Sequence, residues 1–178
     1  LNISESVTLA HSNITTINYS VSATTVLTLT NADSRGVAFT ITGSGRTDDV
    51  LTMADGGNSF IVSAIETVNG GSGSDTVLST SGMDLAGVSL SSIETVNFDQ
   101  NSSGAETLTL DSASSLGSAA LTGSGDEIIS LTGGGTFNLT SNTFSNIATI
   151  SDSTTSANTT LQISSSTGIS LDLSDGTS

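Results

Sequence analysis

The sequence predicts an all-β protein: a parallel β-solenoid (β-helix) of about six to seven coils of roughly 27 residues, with little or no helix. A short motif recurs along the chain at a nearly constant spacing. Short runs of Val, Ile, Leu and Thr alternate in polarity and are bounded by Gly, Ser, Asn and Asp. Aromatic residues make up only 3% of the 178 residues, which suits a narrow interior filled by stacked aliphatic side chains.

The recurring motif is I-E-T-V-N, at positions 65–69 and again at positions 93–97. Four more divergent copies begin at Ile14, Ala38, Ser118 and Ile147. Self-similarity at a fixed period is typical of repeat architectures. We therefore expect the copies to form one wall of successive coils that stack about 4.8 Å apart.

Two further series of short apolar runs complete the predicted strands. The first series is centred on Val7, Val26, Val50, Val77, Leu108, Ile128 and Leu161. The second follows a glycine and occupies residues 82–85, 135–139 and 168–171. The chain has no long stripe of helical period, and its density of Ser, Thr and Gly disfavours helices.

Asparagine occupies the last position of three motif copies, as Asn18, Asn69 and Asn97. If these turns stack, their side-chain amides form a hydrogen-bonded ladder along the solenoid. The alternative is that asparagine is present because it suits turns in general.

An antiparallel β-sandwich of the immunoglobulin kind is the competing fold, because it also has short strands separated by frequent turns. The absence of proline argues mildly against a sandwich, and the repeat argues more strongly.

The formal charge of −15, with Arg35 and Arg46 as the only basic side chains, excludes several classes of partner. Phosphate backbones and anionic membrane surfaces would be repelled, so nucleic-acid binding is not expected. Cations are the natural partners of such a surface, although the charge also serves solubility.

The composition also indicates which structural features the chain lacks. It contains no cysteine, hence no disulfide framework, and no apolar run approaches membrane-spanning length, so membrane insertion is not expected. The sequence as given starts at Leu1 without Met, a basic n-region or an apolar h-region, so we expect it to be an excised or processed part of a longer chain. We interpret residues 1–178 as a single solenoid segment of a longer secreted chain.

One stretch fits a calcium-binding pattern in full. Residues 70–78 (G-G-S-G-S-D-T-V-L) match G-G-x-G-x-D-x-U-x at every specified position. The glycines allow a tight turn that aims carbonyl oxygens at one point, and the aspartate adds a carboxylate, which are the ligands that calcium prefers. Degenerate copies occur at residues 42–51, 122–129 and 103–108.

On these residues the chain resembles the RTX-type calcium-binding β-solenoids, and most closely those of bacterial surface-layer proteins and large adhesins. Residues 85–96 are similar to the linking coils of those proteins. The resemblance implies calcium as the cofactor, with these candidate ligands: Gly71, Gly73, Asp75, Asp48, Asp49 and Asn69.

The match departs from the family in one respect. Family members place calcium between tandem motifs, whereas this chain has one complete motif. A site would have to form between stacked corners, for example between Asp75 and Asp48 or Asp49. The alternative is that these turns keep Gly and Asp for their geometry alone.

The resemblance also implies a function. We expect a structural component of a bacterial cell-surface layer, secreted by a type I system, located at the cell surface and self-associating with other copies in a lattice. A cell-surface polysaccharide is a further candidate partner. The alternative within the same family is the stalk of an RTX adhesin.

A polysaccharide-acting β-helix enzyme is the alternative from another class, and we do not expect it. Such enzymes typically need a basic residue beside acids in a sugar-binding groove. The chain offers His11, Tyr19 and its two arginines, and adjacent acids such as Asp48 and Asp49 point apart in a turn.

Overall fold

The computed structural model describes residues 1–10, 13–19, 25–100, 104–154, 158–165 and 168–173, apart from the side chain of Val37. No helix occurs among these residues, and hence no helix that could span a membrane. Their strands are β1 (Asn2–Ile3), β2 (Val7–Leu9), β3 (Thr16–Tyr19), β4 (Val26–Leu29), β5 (Gly36–Thr42), β6 (Val50–Thr52), β7 (Ser59–Ser63), β8 (Thr67–Asn69), β9 (Thr76–Leu78), β10 (Met83–Asp84), β11 (Ser89–Ser91), β12 (Thr95–Asn97), β13 (Thr107–Asp111), β14 (Ala120–Thr132), β15 (Gly135–Leu139), β16 (Thr143–Asp152), β17 (Thr159–Ile163) and β18 (Ser170–Asp172).

Every strand pair within the described residues is parallel. The chain is a β-solenoid of about 7 turns, which confirms the predicted class and rules out the antiparallel sandwich. The coils are shorter than the sequence repeat predicts, with a ~21-residue spacing. The number of residues between stacked partners also varies along the chain. Asn2 pairs with Asn18, whereas Thr95 pairs with the more distant Ala120.

The strands form three walls. Wall 1 contains β1, β3, β5, β7, β9, β12 and the first parts of β14 and β16. Wall 2 contains β2, β4, β6, β8 and β11, and is extended by a bridge between Ser89 and Ser115. Wall 3 contains β10, β13, the second parts of β14 and β16, and β18, while β15 and β17 form a separate parallel pair.

The cross-section of the solenoid changes along its axis. Before β9, each coil alternates between wall 1 and wall 2, as in the order β7, β8, β9. After β9, the chain passes through β10, β11 and β12, so a strand of wall 3 is inserted into the coil. Among the described residues, wall 3 therefore begins at β10, which pairs on one side with β13.

The two I-E-T-V-N copies do not stack on each other, contrary to the sequence prediction. Val68 of the first copy lies in wall 2 and pairs with Leu51 and Leu90. Val96 of the second copy lies in wall 1, between Val77 and Leu121. The motif marks a type of turn that leads into wall 2 in the first copy and into wall 1 in the second. The spacing between its copies is therefore longer than one coil.

The predicted ladder of Asn18, Asn69 and Asn97 is also wrong, because these residues lie in different stacks. Asn18 donates from Nδ2 to Oδ1 of Asn2 at 3.2 Å, which is a ladder of two amides in wall 1. Asn69 accepts a hydrogen bond from the Ser91 hydroxyl at 2.6 Å. Asn97 accepts one from the backbone amide of Asp99, at 3.2 Å.

The core is a column of stacked inward-facing side chains, as the composition predicts. Ile41 pairs with Ile17 on one side and with Val62 on the other. The few aromatic residues fill wider positions: the rings of Phe39 and Phe60 are 5.5 Å apart, edge to face, and both are fully buried. Each coil buries its apolar face only against its neighbours, so stacking supplies the stability.

Candidate functional site

Three turns, which we call the acidic corners, place a buried carboxylate directly in front of a strand or strand segment. They are residues 43–49, 70–75 and 123–127, and they end at Asp49, Asp75 and Glu127. All three acids have 0% exposed surface. A buried carboxylate is stable only if hydrogen bonds or opposite charges replace its hydration, so its partners reveal its role.

Both oxygens of Asp75 accept hydrogen bonds from nitrogen. Oδ1 accepts from the amide of Asn58 at 2.9 Å and from its Nδ2 at 2.6 Å. Oδ2 accepts from the amide of Gly71 at 3.2 Å, within the glycine-rich turn. Asn58 lies in front of β7, one coil earlier in wall 1. The carboxylate therefore closes its own turn and ties it to the preceding coil.

The I-E-T segment of the following coil completes each of the first two corners. The carboxylate of Glu94 accepts a hydrogen bond from the amide of Asp75 at 2.7 Å. The amides of Glu94 and Thr95 both donate to the Asp75 carbonyl at 3.1 Å. Glu66 binds the amide of Asp49 in the same way, at 2.8 Å. The I-E-T repeat of the sequence is thus the part that the following coil contributes to each of these two corners.

Each corner also pairs a glycine with a residue in the left-handed backbone region. The pairs are Gly43 with Ala64, Gly70 with Ser92, and Gly123 with Asn146. Ser92 has a φ of 51°, and its carbonyl oxygen occupies the space where a Cβ of Gly70 would lie. The close approach of the two backbones requires glycine at this position.

The Asp49 corner has an incomplete set of partners. Oδ2 accepts from the amide of Ser44 at 2.7 Å and from its hydroxyl at 2.8 Å. Oδ1 is buried and has no hydrogen-bond partner. Burial raises the pKa of neighbouring Glu66, and the carboxylates of Asp49 and Asp48 add to that effect.

The Glu127 corner brings two carboxylates to one hydroxyl group. The Ser124 Oγ lies 2.6 Å from Oε1 of Glu127 and 2.7 Å from Oδ2 of Asp99. A hydroxyl has one hydrogen, so it can donate to only one of them at a time. Burial alone would raise the pKa of Glu127, but hydrogen bonds from Gly125 and Ser124 outweigh burial and lower it to about 2.

The predicted metal ligands fall into separate places. Asp75 precedes a strand of wall 1, whereas Asp48 and Asp49 precede a strand of wall 2. The proposed pairing of Asp75 with either of them is therefore not formed. Asp48 instead pairs with the guanidinium of Arg46 at 3.0 Å, on the exposed surface.

The other predicted ligands have structural contacts. Gly71 offers its N–H to Asp75, as described above. Gly73, with a φ of 128°, packs so closely on the backbone of Gly56 that a side chain there would collide with it. Asn69 ends β8 and bonds Ser91.

At the Asp75 corner, N–H donors bind both carboxylate oxygens, so the turn is satisfied without a metal ion. In the described part of the chain, no group of three or more His, Cys, Asp or Glu side chains is arranged to hold a metal. Among the carboxylates of the three corners in the described residues, one buried oxygen has no hydrogen-bond donor, Oδ1 of Asp49.

Sequence reasoning missed the partners of the corner acids. Asn58 and Asp99 belong to no motif, and in the sequence the glutamates of I-E-T mark only the repeat. A usable signal was present, because Glu66 follows Asp49, and Glu94 follows Asp75, at nearly the same distance of about one coil. His11, weighed as a catalytic candidate, lies outside the described residues.

No family model, no curated protein and no solved structure matches this chain.

Proposed function

We propose that this chain is a stiff structural segment of a bacterial cell-surface layer, located outside the cell. The observation that carries the proposal is the continuous parallel stack, in which the acidic corners are bonded to neighbouring coils. Ladder hydrogen bonds along the axis and buried carboxylates at the corners resist bending. The role is mechanical, and we assign no catalytic step to it.

The surface of the solenoid carries few basic groups that could neutralise its acidic side chains. Among the described residues, the exposed large hydrophobic side chains are Leu1, Leu171 and Leu173, in the first and last parts of the stack. Both arginines are engaged locally: Arg35 with Asp33 and Arg46 with Asp48. The sides therefore present mainly carboxylates and hydroxyls, and like-charged copies need a cation to approach side by side.

Calcium and self-association in a lattice are part of this proposal. In this proposal an ion binds at the Asp49 corner, where one buried carboxylate oxygen has no hydrogen-bond donor, rather than at Asp75. Exposed carboxylates on neighbouring copies offer further oxygen ligands of the kind that calcium prefers.

The test is assembly of the purified chain in millimolar CaCl2, in MgCl2 at equal ionic strength, and in EGTA. We expect regular arrays in calcium, seen by negative-stain electron microscopy and by sedimentation, and monomers in EGTA. Magnesium is the matched control for simple charge screening. A rigid monomer under all three conditions contradicts the lattice and favours the stalk of an adhesin, which needs the same stack but no self-assembly.

A further inference from the structure

A cleft of about 470 Å³ opens where the solenoid changes from two walls to three. It lies between residues 61–66 on one side and residues 79–88 on the other. Its volume is within the range of about 300 to 1,000 Å³ that is typical of ligand clefts.

The cleft occupies the position of a missing strand. In the coil of β7 and β8, the chain turns directly from wall 1 to wall 2 at residues 64–66. The next coil contains β10, which pairs with β13 and, within the described residues, with no other strand. The first strand of wall 3 therefore has an open edge that faces the cleft.

The open edge presents backbone hydrogen-bonding groups. The Leu85 amide donates to the Thr109 carbonyl at 2.9 Å, on the paired side of β10. Because successive residues of a parallel ladder direct their N–H and C=O groups to opposite sides, those of Asp84 point toward the open edge. An unpaired strand edge is a template for adding a strand from another molecule.

The side chains around the cleft define the chemistry of an occupant. Val62, Met83 and Val88 line it with apolar surface. Glu66 and Asp84 add carboxylates, and the lining contains no basic side chain. A second, more open depression shares Asp84 and adds Glu106, whose carboxylate lies near Gly82, just before β10, on the side of β13.

We propose that the cleft binds an extended peptide segment of another protein, one that carries Lys or Arg alternating with apolar residues. The segment adds to the edge of β10 as the missing strand of wall 3. Its apolar side chains cover Val62 and Met83, while its basic side chains meet the carboxylates. A second copy of this chain is a poor occupant, because its two arginines are already paired with Asp33 and Asp48.

The first experiment compares labelled peptides by fluorescence anisotropy. The peptides are acetyl-KVKVKVK-amide, its acidic counterpart acetyl-EVEVEVE-amide, and the basic peptide with alternate N-methyl groups. We expect the basic peptide to bind at least about tenfold more tightly than the acidic one. N-methylation on the bonding edge should weaken binding by a similar factor, because it removes the backbone donors.

The second experiment locates the site by charge-neutral substitutions. The variant Asp84→Asn with Glu106→Gln should weaken the basic peptide about tenfold. A matched control, Glu5→Gln with Asp126→Asn, removes the same charge from exposed positions elsewhere and should change affinity by less than about twofold. Circular dichroism melts verify that both variants fold.

Four results would overturn the proposal. If the basic and acidic peptides bind equally, charge complementarity does not drive binding. If the two variants lose affinity equally, the peptide does not bind at the β10 edge. If the N-methylated peptide binds as tightly as its parent, or if spermidine displaces the peptide at an equal concentration of charge, the cleft attracts cations without adding a strand.

Discussion

The buried carboxylates at the corners act as acceptors for backbone groups that the solenoid leaves unpaired. A tight turn between two walls directs several amides inward, where no ladder partner is available. Charge-assisted hydrogen bonds to a carboxylate satisfy these amides more strongly than a neutral acceptor does. Asp75 accepts from Asn58 and Gly71 and thereby couples two coils through one side chain.

Replacing Asp75 with Ala should destabilise the fold by about 2 to 4 kcal/mol, because it leaves the buried donors of Asn58 and Gly71 unpaired. The measurement is urea unfolding followed by circular dichroism. Asp126→Ala, at an exposed position in another corner, is the control and should change stability by less than about 0.5 kcal/mol.

The same urea unfolding, carried out in calcium and in EGTA, distinguishes the two roles considered for Asp75: hydrogen-bond acceptor and metal ligand. An acceptor role predicts an equal loss in both solutions. If the loss appears only in calcium, Asp75 is a metal ligand and the acceptor role is wrong.

The low pKa of Glu127 makes part of the stability dependent on pH. Its pKa is about 2 in the folded chain against 4.5 for an ordinary glutamate. The charged form is favoured by folding, so its contribution is complete above about pH 4.5 and is lost as the pH falls through about 2. After solvent screening we expect roughly 1 to 2 kcal/mol.

Comparison of the wild type with Glu127→Gln isolates this contribution. The difference in the free energy of unfolding between the two proteins should shrink between pH 6 and pH 2 in urea titrations. A difference that stays constant over that interval contradicts the assignment, since glutamine does not titrate.

At the scale of the structural element, the unit of this protein is the corner rather than the strand. The strands are short in most coils and pair with a shifting register offset. The corners keep one arrangement in front of different walls: a glycine beneath a left-handed residue, and an acid before the strand. The backbone conformation of the corners is thus more uniform along the chain than the number of residues in each coil.

Gly70→Ala should therefore be strongly destabilising, by about 3 kcal/mol or more, because the new Cβ overlaps the Ser92 carbonyl oxygen. Gly45→Ala is the matched control. Gly45 has a φ of 78° and open space around it, so its substitution costs only the backbone strain, about 1 kcal/mol. Thermal melts that rank the two variants in the opposite order would contradict the close-approach argument.

At the scale of the whole molecule, stability is a sum over neighbouring coils, while the net charge of −15 opposes compaction. Acids recur along the whole length of the solenoid, and the two arginines compensate few of them. The change from two walls to three interrupts the column once, at the β10 edge.

Raising the NaCl concentration from about 10 to 500 mM should raise the melting temperature by several degrees, since the Debye length falls well below the separation of the surface charges. The midpoint is measured by circular dichroism in EGTA, so that calcium does not contribute. A midpoint that falls or stays constant would show that repulsion between coils is not a main destabilising term.

The fold class and most of the strand positions follow from the amino-acid sequence alone. Runs of alternating polarity bounded by Gly and Asn predicted strands around Val50, Val77 and Leu108, and all three lie in strands. Those signals are local, because strand periodicity and turn chemistry depend on a few adjacent residues. The same holds for the glycine-rich turn of Asp75, which the motif located directly.

Which segments stack, and which groups the corner acids bind, depends on the three-dimensional fold. I-E-T-V-N identifies a corner but not the wall in front of which it lies, so Val68 and Val96 joined different sheets. The partner of Asp75 proved to be Asn58, a residue in no motif, because stacking depends on the number of residues in each coil. That number varies from coil to coil, and no local pattern encodes it.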